Sequence, residues 1–366
     1  MNTARRVVVL LCLLAALSIQ VQAEEIVSAQ AEIFGVDELQ KALPSEAEAL
    51  LSETEVTEDQ NFWEGVMALL QNAAGAAVEI FFGGIGQALR LLLIIVICHL
   101  VDAVCEERGK AAALIAGVLT LASICMADLN TLIGLGRSTM EALSDFTAVL
   151  NPVMAAASTA SGSVAGAGMN YALTVFFSNV LVKLCSQLLI PAVYAYLALA
   201  VTDSVQQQER LKKLRELLGW GIELCLKAVV YAFTGCLAVT GILSGTTDAA
   251  KLKAAKLAIS SMIPVVGGII SNATETVLSG AELLKGTIGT IGMLAILAIF
   301  LLPFLRMGIS YLLLKIVTAL SGIFVSRLSG LLEAVAKAMG YLLAMTGSSA
   351  LICVLTCCCY LKVVQT

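Results

Sequence analysis

The chain has 366 residues, of which 59% are hydrophobic and only 13% are charged, and its formal net charge is −5. Soluble domains carry about a quarter charged residues, so this balance excludes an ordinary soluble protein and indicates a polytopic membrane protein. A nucleic-acid partner is not expected, because it would require clustered positive charge on a folded face.

The first residues have the pattern of a secretory signal peptide. Arg5 and Arg6 form a charged start, a short apolar run extends to Leu17, and residues 21–23 form a small-residue cleavage site. The run is too short for a comfortable membrane span. We therefore expect residues 1–23 to be a signal peptide, with an uncleaved anchor as the alternative, and the chain after it to begin outside the cytoplasm.

Residues 24–84 form a strongly acidic segment, with thirteen Asp and Glu residues against one basic residue, Lys41. Within residues 61–89 the polar side chains recur about every two turns of a helix. This spacing predicts an amphipathic helix that lies at the membrane surface or against a partner. Packing against the rest of the protein is the alternative.

Residues 85–366 are predicted to be an all-α, polytopic membrane domain in contact with lipid. Seven segments are long and apolar enough to cross. They lie at about residues 86–105, 111–128, 171–200, 219–243, 287–305, 308–325 and 341–362. The densest basic cluster between them places its loop in the cytoplasm. Its members are Arg210, Lys212, Lys213 and Arg215.

Two further segments, residues 149–170 and 263–277, combine a proline with small and hydroxyl-bearing residues. In lipid, a broken helix is tolerated only when it is buried in protein or faces a watery cavity. We therefore predict two interrupted, re-entrant segments, which line a pore or form a tight helix-packing corner. The residues that would do so are Pro152, Pro264, Gly267, Gly268 and Asn272.

An internal repeat is suggested by the spacing of the prolines. Pro152 and Pro264 lie 112 residues apart, and so do Pro191 and Pro303. The candidate repeats cover roughly residues 140–240 and 252–352. Paired interrupted segments in two repeats mark the central site of many transporter folds.

Charged residues inside apolar segments are the other candidates for function, because such charges are costly and usually face the bundle interior or a cavity. Lys183 lies near the middle of one predicted span. Glu223 lies four residues before Lys227, and this spacing and order are favourable for an ion pair on a helix. A pair that reaches to the membrane face is the alternative for these two.

No catalytic or cofactor-binding motif is present in the sequence. A phosphate-binding loop, an H-E-x-x-H motif and a G-x-S-x-G motif are all missing. His99 is the single histidine, and the cysteines lie in apolar segments without C-x-x-C spacing. We therefore expect a protein that is not an enzyme and that holds no cofactor or metal.

Residues 254–296, AAKLAISSMIPVVGGIISNATETVLSGAELLKGTIGTIGMLAI, resemble the stage III sporulation protein AE family of endospore-forming bacteria. The order of signal peptide, acidic segment and multiple spans supports the resemblance. It implies a multi-pass protein of the mother-cell membrane that surrounds the forespore. It also implies sister proteins as partners, including ring-forming subunits and a cytoplasmic ATPase, in a channel complex that links the two cells.

The expected function is therefore that of a permease-like or export-gate-like membrane component of this complex. Two alternatives are open. A self-sufficient secondary transporter would couple ions through Lys183 or the Glu223–Lys227 pair. A structural scaffold would recruit ring-forming partners through the acidic segment.

Overall fold

The protein is an all-α bundle, as the sequence predicts. A computed structural model describes residues 41–52, 62–104, 107–160, 164–206, 208–239, 287–324 and 326–365, and no strand occurs within them. The helices are α1 (Ser45–Ser52), α2 (Phe62–Val104), α3 (Glu107–Ala160), α4 (Val164–Leu184), α5 (Ile190–Gln206), α6 (Glu209–Val239), α7 (Thr287–Phe324) and α8 (Ser326–Gln365).

Six helical stretches in the described part of the chain are long and apolar enough to cross a membrane. They are α2, α3, the continuous α4–α5 helix, α6, α7 and α8. Leu, Ile, Val and Ala dominate their sequences, and in lipid a helix satisfies every backbone polar group within itself. This confirms the predicted polytopic membrane fold.

The helices α4 and α5 are joined without a break by a π-helical turn, Cys185–Leu189. Pro191 follows this turn directly. A proline has no N–H to donate, and its ring clashes with the carbonyl four residues earlier in a regular α-helix. A local widening of the helix is one of the known ways to accommodate such a residue.

Two of the predicted spans, residues 287–305 and 308–325, are one helix in the structure. Pro303 lies inside α7. Only Arg306 and Met307 separate the two predicted spans, and membrane helices tolerate proline when neighbours satisfy the freed carbonyl. The seven predicted spans therefore correspond to six long helices.

Other boundaries also differ from the predicted ones. The helix α3 continues through Pro152 to Ala160, so the predicted interruption at Pro152 does not occur. The predicted amphipathic helix and the first span are both part of α2, so residue 84 lies within a helix. The predicted basic loop is mostly the first turns of α6. Pro264, Gly267, Gly268 and Asn272 lie outside the described residues.

The centre of the bundle is α8, which packs against α3, α4, α5, α6 and α7. In its most apolar window 78% of the residues are buried, against 11% in α2. The helix α2 lies at the periphery and packs mainly on α7. Burial of apolar side chains and close packing therefore hold the bundle around α8.

A polar seam runs between α3, α4 and α8 inside the bundle. The hydroxyls of Thr174 and Thr356 lie 3.1 Å apart. The hydroxyl of Thr147 lies 3.2 Å from Sγ of Cys353. Small hydroxyl-bearing residues allow helices in lipid to approach closely, and each interhelical hydrogen bond contributes about 0.6 kcal/mol. The seam therefore fixes the register of these helices.

Exposed charges lie near the middle of the long helices. Gly136 on α3 packs against Thr346 of α8 and Met307 of α7, so these three residues share one height in the bundle. Their neighbours Arg137 and Arg306 are both exposed. Arg137 forms an ion pair with Glu141, one turn further along α3, at 3.0 Å. The bundle thus has a charged level at about half its height.

Candidate functional site

A cavity of about 660 Å³ lies between α2, α3 and α7, and α1 contributes to one side of it. It is lined by residues 76–91 of α2, 125–135 of α3 and 302–317 of α7, with Pro303 in its wall. Its volume is typical of small-molecule sites, which measure about 300–1,000 Å³. The cavity lies at the charged level of the bundle, because Arg306 is among its lining residues.

Hydrogen-bond acceptors are concentrated on two walls of the cavity. Glu79 lies on α2, and Asp128 and Thr131 lie on α3. Gln87 Nε2 donates a hydrogen bond to Oδ1 of Asp128 over 3.1 Å and joins the two helices. The Arg90 guanidinium is also near enough to act electrostatically on Asp128.

The third wall carries a cation. Arg306 and Ser310 project from α7, one turn apart, into the same cavity. Within the described part of the chain, neither Arg306 nor Glu79 takes part in an ion pair. The helices α2, α3 and α7 therefore present one guanidinium and two carboxylates that are not neutralised by direct contact with each other.

The short helix α1 closes part of the cavity with the side chain of Glu46. It is held in place by Ala47 and Leu50, which are buried, and it packs against α7 and α2. Pro44 precedes the helix, and its carbonyl accepts the backbone N–H groups of Ala47 and Glu48. The described part of the acidic segment is thus attached to the membrane domain at this site.

The predicted site residues that the structure describes, Pro152, Lys183, Glu223 and Lys227, are not part of the cavity lining. Lys183 is exposed on α4 and Pro152 is exposed on α3. Glu223 and Lys227 form an ion pair of 3.6 Å on one face of α6, with about a quarter and a fifth of each side chain exposed. The structure does not bring Lys183 and this pair into one site with Pro152.

Two charged residues of the cavity could not be recognised as a site, because each marks an end of a predicted span. Asp128 ends the predicted segment 111–128, and Arg306 falls between the two predicted segments that form α7. The sequence carries no clear signal against a break here, because Pro303, Gly308 and Ser310 are residues that a loop between two spans would also contain.

A second polar cluster lies where α5, α6 and α8 meet. Tyr196 and Tyr341 contact each other edge to face, with ring centroids 5.7 Å apart. Gly219 on α6 directly faces the hydroxyl of Tyr341. That hydroxyl is buried and has no hydrogen-bond partner among the described residues. Arg215 and Asp203 join α6 to α5 through an ion pair of 3.3 Å.

Most of the chain matches one protein family. The family model described as "Stage III sporulation protein AE" matches residues 46–363, which is most of the chain. The "Stage III sporulation protein AE" of Bacillus subtilis (strain 168) is 25% identical over 171 residues, covering 47% of this chain and 43% of that protein. The aligned part is therefore less than half of either protein. No solved structure matches the chain.

Proposed function

Because the chain belongs to the stage III sporulation protein AE family, we propose that it is a non-enzymatic membrane component of a channel complex that links mother cell and forespore. Membership in the family makes it a sporulation protein, and the six long apolar helices among the described residues make it a multi-pass membrane protein. The role we propose within the complex is permease-like or export-gate-like.

The cavity between α2, α3 and α7 is the observation that supports a role in passage. A scaffold needs no polar cavity, whereas a permease needs a polar, solvated volume between helices that are otherwise apolar. Glu46, Glu79, Asp128 and Arg306 supply the charges of such a volume. The proline of α7, Pro303, lies in the wall of the same cavity.

We propose the mother-cell membrane around the forespore as the location, with ring-forming subunits and a cytoplasmic ATPase as partners. The N-terminal segment would be extracytoplasmic. The basic residues Arg210, Lys212 and Lys213, exposed at the start of α6, support this orientation, since such clusters favour the cytoplasm. An ATPase partner would supply the energy for which the chain has no motif of its own.

The test replaces the charges of the cavity in the native spore-former, with the variant as the chromosomal copy. We expect Arg306→Gln and Asp128→Asn to leave the protein in the membrane at normal abundance and to reduce the yield of heat-resistant spores strongly. Arg137→Gln removes an exposed charge at the same height outside the cavity and serves as the matched control. Normal spore yields with both cavity variants would rule out a role of the cavity in passage.

A scaffold is the second candidate, supported by the exposed apolar side chains of the first part of α2. Trp63, Phe81 and Phe82 are more than 40% exposed there. Such a face is compatible with lipid or with a protein partner. Substitution of the three by Ser would abolish recruitment of ring-forming subunits if the scaffold role holds. It would leave recruitment intact if the face contacts lipid alone.

A further inference from the structure

We propose that the cavity between α2, α3 and α7 binds a small zwitterion, a molecule with an ammonium group at one end and a carboxylate at the other, such as an amino acid or a short peptide. The inference rests on the proposed function in one respect, because it takes the cavity to be the place where cargo is recognised. Its test is nevertheless independent of sporulation.

The charges of the cavity are separated by wall. Glu46, Glu79 and Asp128 lie on α1, α2 and α3, while Arg306 and Ser310 lie on α7. A guanidinium recognises a carboxylate through two parallel hydrogen bonds, and a hydroxyl one turn away adds a further donor. The carboxylate end of the ligand therefore belongs against α7.

The opposite walls suit an ammonium group, which is a donor of three hydrogen bonds and accepts none. Asp128 accepts one hydrogen bond from Gln87 at 3.1 Å, and an ionised carboxylate has room for further donors. Glu79 takes part in no ion pair within the described residues, so its carboxylate is available. The bond from Gln87 holds the Asp128 carboxylate in one orientation.

Other ligand classes fit the lining less well. A simple anion would face Glu46, Glu79 and Asp128, and a simple cation would leave the Arg306 guanidinium without a counter-ion. Groups of three or more ligating side chains that could hold a metal ion do not occur in the part of the chain that the structure describes. An uncharged apolar molecule would leave the charged groups desolvated and unpaired, which is costly.

The middle of the ligand would lie against apolar side chains. Ile80, Leu132 and Leu313 come from the three walls and line the same volume. Sites for small molecules are mostly apolar, with a few polar groups that fix orientation and provide specificity. A volume of about 660 Å³ is ample for a short peptide. The cavity can therefore accept ligands with different side chains while it recognises the two charged ends that they share.

The experiment uses four probes that share one core: alanyl-alanine, its C-terminal amide, its N-acetyl derivative and the derivative blocked at both ends. Their binding to the full-length protein in lipid nanodiscs is measured by titration calorimetry. We expect the zwitterion to bind at least about tenfold more tightly than each of the other three. Equal binding of all four, preference for a singly charged probe, or no binding of the zwitterion would overturn the proposal.

Two variants assign the ends of the ligand. Arg306→Gln should reduce zwitterion binding to the level of the amide, and Asp128→Asn should reduce it to the level of the N-acetyl derivative. Arg137→Gln and Asp145→Asn, exposed charges outside the cavity lining, are the controls and should bind as the unaltered protein does. Retention of full zwitterion binding by both folded cavity variants would also overturn the proposal. The probe series on the unaltered protein decides the question if a variant does not fold.

The outcome separates this inference from the proposed function. Loss of spores in the cavity variants without selective zwitterion binding would leave the channel role standing and remove the ligand class. Selective binding with normal spore yields would confirm the ligand class and remove the role in passage.

Discussion

Gln87 on α2 and Asp128 on α3 are joined by a hydrogen bond of 3.1 Å across the wall of the cavity. The two residues are 41 positions apart in the sequence, so the bond connects two helices rather than two turns of one. It positions a carboxylate at the surface of the cavity and at the same time attaches the peripheral helix α2 to the bundle.

Replacing Gln87 by Leu should lower the free energy of unfolding by about 1 kcal/mol, because Asp128 loses its donor and an interhelical hydrogen bond is lost. Gln71→Leu is the matched control, since Gln71 is an exposed glutamine on the same helix. The free energy of unfolding of both variants is measured by denaturant titration in detergent micelles. Equal stability of the two variants would show that the bond contributes nothing.

Gly219→Ala should destabilise the protein by about 1–3 kcal/mol, because the new Cβ would collide with the hydroxyl of Tyr341. Gly221→Ala is the control, as nothing lies within 4 Å of a Cβ at that position. In Gly221→Ala the higher helix propensity of alanine should instead raise stability. The measurement is the thermal unfolding midpoint.

Tyr341→Phe should be neutral or stabilising by about 1 kcal/mol, since it removes a buried hydroxyl that has no partner among the described residues. It should also suppress part of the effect of Gly219→Ala, because the colliding atom is gone. A double-mutant cycle reports this coupling. Additive effects of the two substitutions would mean that the destabilisation by Gly219→Ala does not come from contact with the Tyr341 hydroxyl.

Breaking the Asp203–Arg215 ion pair should cost about 2 kcal/mol, between the values for exposed and fully buried pairs. The side chain of Asp203 is only 16% exposed and that of Arg215 only 17% exposed. The Arg137–Glu141 pair is about half exposed, so Glu141→Gln should change stability by less than about 0.5 kcal/mol. We expect Arg215→Gln to loosen the α5–α6 corner, as faster proteolysis there would show. Equal losses of stability in Arg215→Gln and Glu141→Gln would contradict the expectation that the less exposed pair contributes more.

Water access to the cavity can be tested with a cysteine at Ser310. We expect Ser310→Cys to react with a charged thiol reagent in intact membranes, because Ser310 lines the cavity. Ser321→Cys on the same helix is the control, since Ser321 is completely buried. Cys125, which also lines the cavity, is replaced by Ala in both. Failure of Ser310→Cys to react would mean that the cavity is closed to water.

Composition and apolar runs were sufficient to predict an all-α membrane protein, because backbone satisfaction in lipid leaves helices as the natural solution for such segments. They were insufficient for helix ends. Pro152 and Pro303 are strong breakers in water, but here both lie within helices. Long-range packing against α8 stabilises these helices beyond what local sequence indicates.

The candidate site could not be read from the sequence, because its residues are far apart along the chain and meet only through packing. Asp128 and Arg306 each looked like the end of a span, whereas Lys183 looked buried by position and is exposed. The Glu223–Lys227 pair was predictable, since it depends on helix geometry alone. The internal repeat and the roles of Pro264, Gly267, Gly268 and Asn272 stay predictions.

The length of α7 has a consequence for the reach of the protein. It has 38 residues and is therefore about 57 Å long, while the hydrocarbon layer measures about 30 Å. Residues 307–324, from the charged level to the end of the helix, account for about 27 Å, which is close to one membrane thickness. If the basic start of α6 faces the cytoplasm, as we propose, the other half of the bundle extends roughly 25–30 Å beyond the lipid. At that distance it would meet partner proteins in the space between the two membranes.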